Sequence, residues 1–114
     1  MTQKEFQNKW NLNPSCGCYI PDGWLNLVDN LLKDLLNVGF RISQIVQVKS
    51  KFAGLRLYAD NCTVAQDRLI NEAQHTSFKI CEKCGSPGYP REGSWIATLC
   101  EVHSHGRKAW SVPK

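Results

Sequence analysis

Four side chains in the C-terminal third of this 114-residue chain have the types and the spacing to grip a metal ion. Cys81-Glu-Lys-Cys84 is a C-x2-C pair and Cys100-Glu-Val-His103 a C-x2-H pair. Three thiolates and one imidazole are a ligand set for tetrahedral zinc, so the expected cofactor is one structural Zn2+. In C-x2-C a tight turn brings both sulfurs to one ion, and Gly85 supplies the backbone freedom that turn needs. Cys100 and His103 stand at i and i+3, the spacing of one face of a first helical turn, where exposed N–H groups also favour a thiolate. His105 competes with His103 as the fourth ligand, and the i, i+3 spacing favours His103. Unrelated free thiols would not explain why both half-motifs flank one turn-rich insert.

That insert, 86–94, carries Pro87, Gly88, Pro90 and Gly93, and 95–99 then reads as a short apolar strand returning to the metal. Upstream, 2–10 is a short helical stretch with Phe6 and Trp10 on one face, and 13–18 is loop. The clearest helix covers 23–37, with Asp22 as its cap and Gly39 as its stop. Trp24, Leu27, Val28, Leu31, Leu32, Leu35 and Leu36 form its apolar stripe; Asn26, Asp29, Asn30, Lys33 and Asp34 face away. Such a stripe is core more often than a binding groove. Residues 41–49 and 55–59 read as a hairpin, with Val46 and Val48 alternating against Gln47 and Lys49. Asn61 or Thr63 caps a second helix over 64–75, whose Ala65, Leu69, Glu72, Ala73 and Thr76 column is less apolar.

The expected fold class is therefore α+β in a single domain, two helices on a small antiparallel hairpin with a C-terminal Cys3His zinc finger. Residues 1–78 make the helix–hairpin–helix body, 79–105 the finger and 106–114 a basic tail. The zinc is expected to hold 95–99 against the helix that carries Ala73. A chain this short builds a modest core, so metal binding supplies part of its folding free energy.

The N-terminus is polar and does not read as a signal peptide, and no apolar run approaches a membrane span of roughly 20 residues. Thiols committed to a metal imply a reducing, cytoplasmic setting rather than a disulfide framework. Cys16, Cys18 and Cys62 are left over. Cys16-Gly-Cys18 is too closely spaced for an ordinary disulfide, so unligated thiols are expected in preference to a second metal site with Cys62 and His75.

The net charge is +4, and 79–114, with six cations against three anions, holds +3 of it. Lys79 and Lys83 balance a negatively charged zinc–thiolate centre, which accounts for part of that excess. Lys49, Lys51 and Arg56 beside Tyr58, with Arg107, Lys108 and Trp110 in the tail, are the candidate contacts for a nucleic acid or a partner protein. A solvated sheet face carries the same residue types.

Several separated stretches also resemble a family of small uncharacterised proteins encoded by phages and prophages. They are Val46-Gln-Val-Lys-Ser-Lys-Phe-Ala-Gly-Leu-Arg-Leu-Tyr58, Leu69-Ile-Asn-Glu-Ala73, Ser77, Cys81-Glu-Lys-Cys-Gly-Ser-Pro-Gly88, Trp95-Ile-Ala-Thr-Leu-Cys100 and His103, with Gly23-Trp24 before the leucine helix. The likeness spans about residues 20–105 and implies a phage source and a host-cell cytoplasm, without an activity. More locally, 81–85 through 97–100 resembles the zinc finger of DksA/TraR-type factors that bind bacterial RNA polymerase. Those factors use a long coiled-coil hairpin with acidic tip residues and usually a second C-x2-C; this chain has His103 and a leucine helix with a β-hairpin instead.

Together these features suggest a non-catalytic binding module that engages or inhibits a host protein. The alternative is a nucleic-acid-binding or polymerase-associated transcription modulator. A zinc nuclease using His103, His105 and Glu101 is the weakest reading: a catalytic zinc keeps a position open to water, which a Cys3His shell fills. No Ser/His/Asp set or glycine-rich phosphate loop stands in the sequence either.

Overall fold

The computed structural model describes residues 1–12, 17–93 and 95–109. The architecture is α+β, but among the described residues it holds three helices and two small antiparallel hairpins rather than two helices and one hairpin. Helix α1 (Gln3–Trp10) is short, and it persists because both ends are closed. Thr2 and Glu5 form a reciprocal capping box, and Asn11 ends the helix in the left-handed region. Phe6 enters the core, while Trp10 Nε1 donates to Asp29 Oδ1 at 2.9 Å.

Helix α2 (Leu25–Leu36) follows a 3-10 turn, Asp22–Trp24. Its stripe is buried as expected through Val28, Leu31, Leu32 and Leu35, with two corrections. Leu25 is buried and Leu36 exposed; the two stand on nearly the same face, so burial is shifted along the axis toward the helix start. Asp29 does not face away: it is 6% exposed and anchors α1 through Trp10 and Lys9 (2.8 Å), while Lys33 of its own helix pairs with it at 3.1 Å. Asp22 makes no capping bond either; its carboxylate accepts from Gln3 Nε2 at 2.8 Å, a second tie to α1. At the far end Phe40 N–H bonds the Leu35 carbonyl, and Gly39 N–H the Leu36 carbonyl.

Strands β1 (Ile45–Lys51) and β2 (Gly54–Ala59) pair with Val48 opposite Leu57 and Lys49 opposite Arg56. The register shifts between Ile45 and Gln47, and Val46 is exposed while Val48 is fully buried. The expected alternation thus fails at Val46, because a bulge leaves one residue out of the pleat. The turn has only two residues, Phe52 and Ala53, both with positive φ (50° and 69°). That is the primed geometry matching strand twist, although Asn or Gly usually supplies it.

Helix α3 (Val64–Ser77) starts at the Thr63–Gln66 capping box, the second of the two expected caps, and runs past His75 to Ser77. Its buried column is Gln66, Ile70, Ala73 and Ser77. Of the expected one, Ala65, Glu72 and Thr76 point to solvent, Leu69 packs half-buried against the core, and only Ala73 is fully common to both. Polar members of the observed column, with Gln74 beside it, explain the difference. Gln66 Nε2 donates to the Val38 carbonyl at 2.9 Å, Ser77 Oγ accepts Leu55 N–H at 2.9 Å, and Gln74 Oε1 accepts Leu57 N–H at 3.0 Å. Side chains of α3 therefore satisfy β2 donors that β1 leaves open, which covers that sheet edge.

Strands β3 (Tyr89–Arg91) and β4 (Ala97–Leu99) form the second hairpin. Among the described residues no helix is long and apolar enough to cross a membrane.

Candidate metal centre

Two loops bring the four ligands together. After α3 the chain turns at 81–85, closed by Gly85 N–H to the Cys81 carbonyl (2.9 Å) and Cys81 N–H to the Ser86 carbonyl (2.8 Å). Gly85 takes φ +83°, the conformation that the sequence reserved glycine for. The second pair lies beyond β4. Residues 101–106 are turn rather than the expected helix, but Ser104 N–H still bonds the Cys100 carbonyl at 2.9 Å. One closed turn suffices to put Cys100 and His103 on the same side.

The Sγ atoms of Cys81, Cys84 and Cys100 and a ring nitrogen of His103 all lie within 4.8 Å of one another. Cys84 Sγ is 3.7 Å from Cys100 Sγ, and His103 Nδ1 is 3.2 Å from Cys100 Sγ and 3.8 Å from Cys81 Sγ. A tetrahedron with metal–sulfur bonds of about 2.3 Å has sulfur–sulfur edges of about 3.8 Å, and sulfur–nitrogen edges slightly shorter. The observed spacings fit that polyhedron. His105 is exposed, has φ +50° and lies outside the cluster.

The surroundings favour thiolates. Hydrogen bonds from the Ser86 hydroxyl and N–H lower the Cys84 thiol to about 6. The His103 N–H likewise holds Cys100 below the ordinary thiol range. Burial pushes Cys81 up, against N–H groups of Cys100, Cys84 and Lys83 that favour its anion. The neighbouring Cys100 and Cys84 sulfurs raise His103. Such a donor set suits a cation at its centre.

Among the described residues, the finger's own apolar cluster is Ala97 and Leu99 beside Cys81 and Cys100. It is held to the body by hydrogen bonds instead. Gly23 N–H donates to the Glu82 carbonyl (2.8 Å), Trp24 Nε1 to the Ile80 carbonyl (2.9 Å) and Thr98 Oγ1 to the Ala53 carbonyl (2.7 Å). A Cβ on Gly23 would sit 2.0 Å from the Cys81 carbonyl oxygen. The finger thus docks on the start of α2 and the tip of the first hairpin. The expected apposition of 95–99 with the Ala73 helix is not formed: Ala73 belongs to the main core, and Trp95 is 62% exposed.

The remaining cysteines divide. Cys18 is disulfide-bonded, against the expectation of an unligated thiol, and Cys16 lies outside the described residues. Cys62 is a half-buried free thiol raised by burial and by the charges of Asp67 and Asp60. His75 is exposed, and no second ligand cluster forms among the described residues.

The candidate contact residues come from two places. Lys49 and Lys51 lie on β1, with Arg56 and Tyr58 opposite on β2, and Lys49 Nζ lies 5.9 Å from the Tyr58 ring centre. Arg107 is not a free tail residue: its guanidinium covers the Trp95 ring at 5.0 Å. The Lys108 carbonyl accepts Glu92 N–H at 2.8 Å, and Ala109 bridges Arg91, so 107–109 lies against β3. Trp110 and Lys114 lie outside the described residues. Between the two sets runs a cleft of about 390 Å3 whose walls include the rings of Tyr19 and Trp95, the cations Lys49 and Lys83 and the carboxylates Asp22 and Glu82. Tyr19, Glu82 and Trp95 were not among the contact candidates; the only sequence signal was an aromatic beginning each of the runs 19–21 and 95–99.

Against protein-family models, curated proteins and solved structures, the chain has no significant match.

Proposed function

We propose that this protein is a non-catalytic binding module whose C-terminal third is shaped by one structural zinc ion on Cys81, Cys84, Cys100 and His103. The observation that carries this reading is the convergence of those four ligand atoms within 4.8 Å of one another. Four protein donors complete a tetrahedral shell and leave no position for the activated water of a hydrolytic zinc site. The finger's scant apolar core gives the ion a folding role. Elemental analysis of the purified protein tests the reading: one zinc per chain is expected, and a folded protein without stoichiometric metal would overturn it.

The phage-type resemblance points to a host protein as the partner, to be sought by stoichiometric capture from host lysate. A specific observation favours a second reading, a nucleic acid. Lys49 and Arg56 stand directly opposite one another on the outer sheet face, and among the described residues neither forms an ion pair. Like charges in register cost stability, and an anionic partner relieves that repulsion. Such binding should weaken steeply between low and physiological salt; salt-independent binding, or none at low salt, removes this reading.

A further inference from the structure

We propose that the cleft between the first hairpin and the finger is a stacking site for single-stranded nucleic acid, with a guanine edge received by Glu82. The proposal rests on the nucleic-acid reading above and names the residues that would carry it. At about 390 Å3 the cleft falls within the roughly 300–1,000 Å3 usual for small-ligand sites. Its walls combine three kinds of group that one nucleotide needs.

Tyr19 and Trp95 are 64% and 62% exposed, large rings left in water on separate segments that meet at this cleft. Arg107 lies over the Trp95 ring, which holds the indole in place for stacking. Lys49 and Lys83 supply positive charge, and among the described residues neither forms an ion pair, even with Glu82 or with Asp22, the second carboxylate of the lining, which already accepts from Gln3 Nε2 at 2.8 Å. They are available to phosphate.

Glu82 makes the site more than a basic patch. It is only 9% exposed, and its backbone is fixed on both sides by the Thr98 carbonyl (3.0 Å) and Gly23 N–H (2.8 Å). One carboxylate oxygen lies 3.5 Å from Ser50 Oγ, and the other receives no hydrogen bond from the described residues. A plain phosphate site would gain nothing from a carboxylate. A base edge rich in donors would, and guanine offers adjacent N1–H and N2–H groups there. Thymine and uracil flank their single N3–H with carbonyl oxygens that a carboxylate repels.

The test is fluorescence anisotropy at low salt with two labelled octamers, all-thymidine and the same strand carrying one central guanine. Both are run as DNA and, with uridine, as RNA; preference on either backbone satisfies the proposal. Metal content and circular dichroism are checked for every variant. The expected results are tighter binding of the guanine strand, about tenfold loss with Trp95→Ala and retention with Trp95→Phe. Glu82→Gln should abolish the guanine preference without weakening the thymidine strand. If Trp95→Ala and Tyr19→Ala bind with full affinity while Arg56→Ala weakens every strand, the protein binds nucleic acid but not through this cleft, and the proposal fails. Absence of binding by the wild type would remove both readings, even if a protein partner were then captured.

Discussion

Asp29 is the residue on which α1 depends. Burial alone would raise its carboxyl, but hydrogen bonds from Lys9, Trp10 and Lys33 outweigh this and leave it below the ordinary value of 3.8. A depressed folded-state value contributes stability above the unfolded value and loses it as pH falls through the folded one. Asp29→Asn keeps an amide oxygen for the indole N–H but removes the charge that both lysines meet, so it should cost about 1 kcal/mol at neutral pH, small because both lysines are half in water. The gap in melting temperature between wild type and variant should hold above about pH 5 and narrow below about pH 4. A gap that widened on acidification would contradict this account. At the metal centre the sharper change is Cys84→Ser, which keeps the shape but removes a thiolate. It should abolish stoichiometric zinc and leave the chain partly unfolded, read by metal content and near-ultraviolet dichroism. The helical period put Asp29 on the outer face because it cannot register that another helix ends beside it. The four ligands needed no such information, since their spacing is their signature.

Between elements, the contacts that matter are backbone-close and therefore hard to read in a linear sequence. Gly23 is where α2 meets the finger, with no room for a Cβ against the Cys81 carbonyl and the Gly85 nitrogen. Gly23→Ala should destabilise the fold by roughly 3–4 kcal/mol and weaken zinc retention against a chelator, although no ligand is touched. Normal zinc affinity in that variant would mean the knuckle forms independently of α2. The hairpin tip carries the opposite problem. Phe52 occupies the left-handed region while remaining exposed, so its ring adds strain with little burial. Phe52→Asn should raise stability by about 0.5–1 kcal/mol in a denaturant titration, because Asn tolerates that conformation. The hairpin itself was readable from its alternating apolar residues. The bulge at Val46 and the polar column of α3 were not; the column answers to the backbone donors that β2 leaves open.

For the whole molecule, a large leucine-rich core is joined to a finger with almost no apolar interior of its own. Hydrogen bonds from Gly23, Trp24 and Thr98 tie the two together, so loss of the ion should be felt across the domain. Adding chelator at neutral pH should lower the melting temperature of the entire chain in one transition, and added zinc should raise it with ligand concentration. Two separate transitions, with the helical body unmoved, would show that the finger is merely tethered. Periodicity and motif spacing are local properties of a chain, so the α+β class, the leucine-rich helix, the first hairpin and the four clustered donor residues were legible in residue order alone. It took the folded chain to show that the finger rests on α2 and the hairpin tip, that Asp29 is buried, and that Tyr19, Glu82 and Trp95 share a cleft. Those facts arise from segments far apart in sequence meeting at backbone distance, where close approach and shared hydrogen bonds, rather than residue type, choose the arrangement.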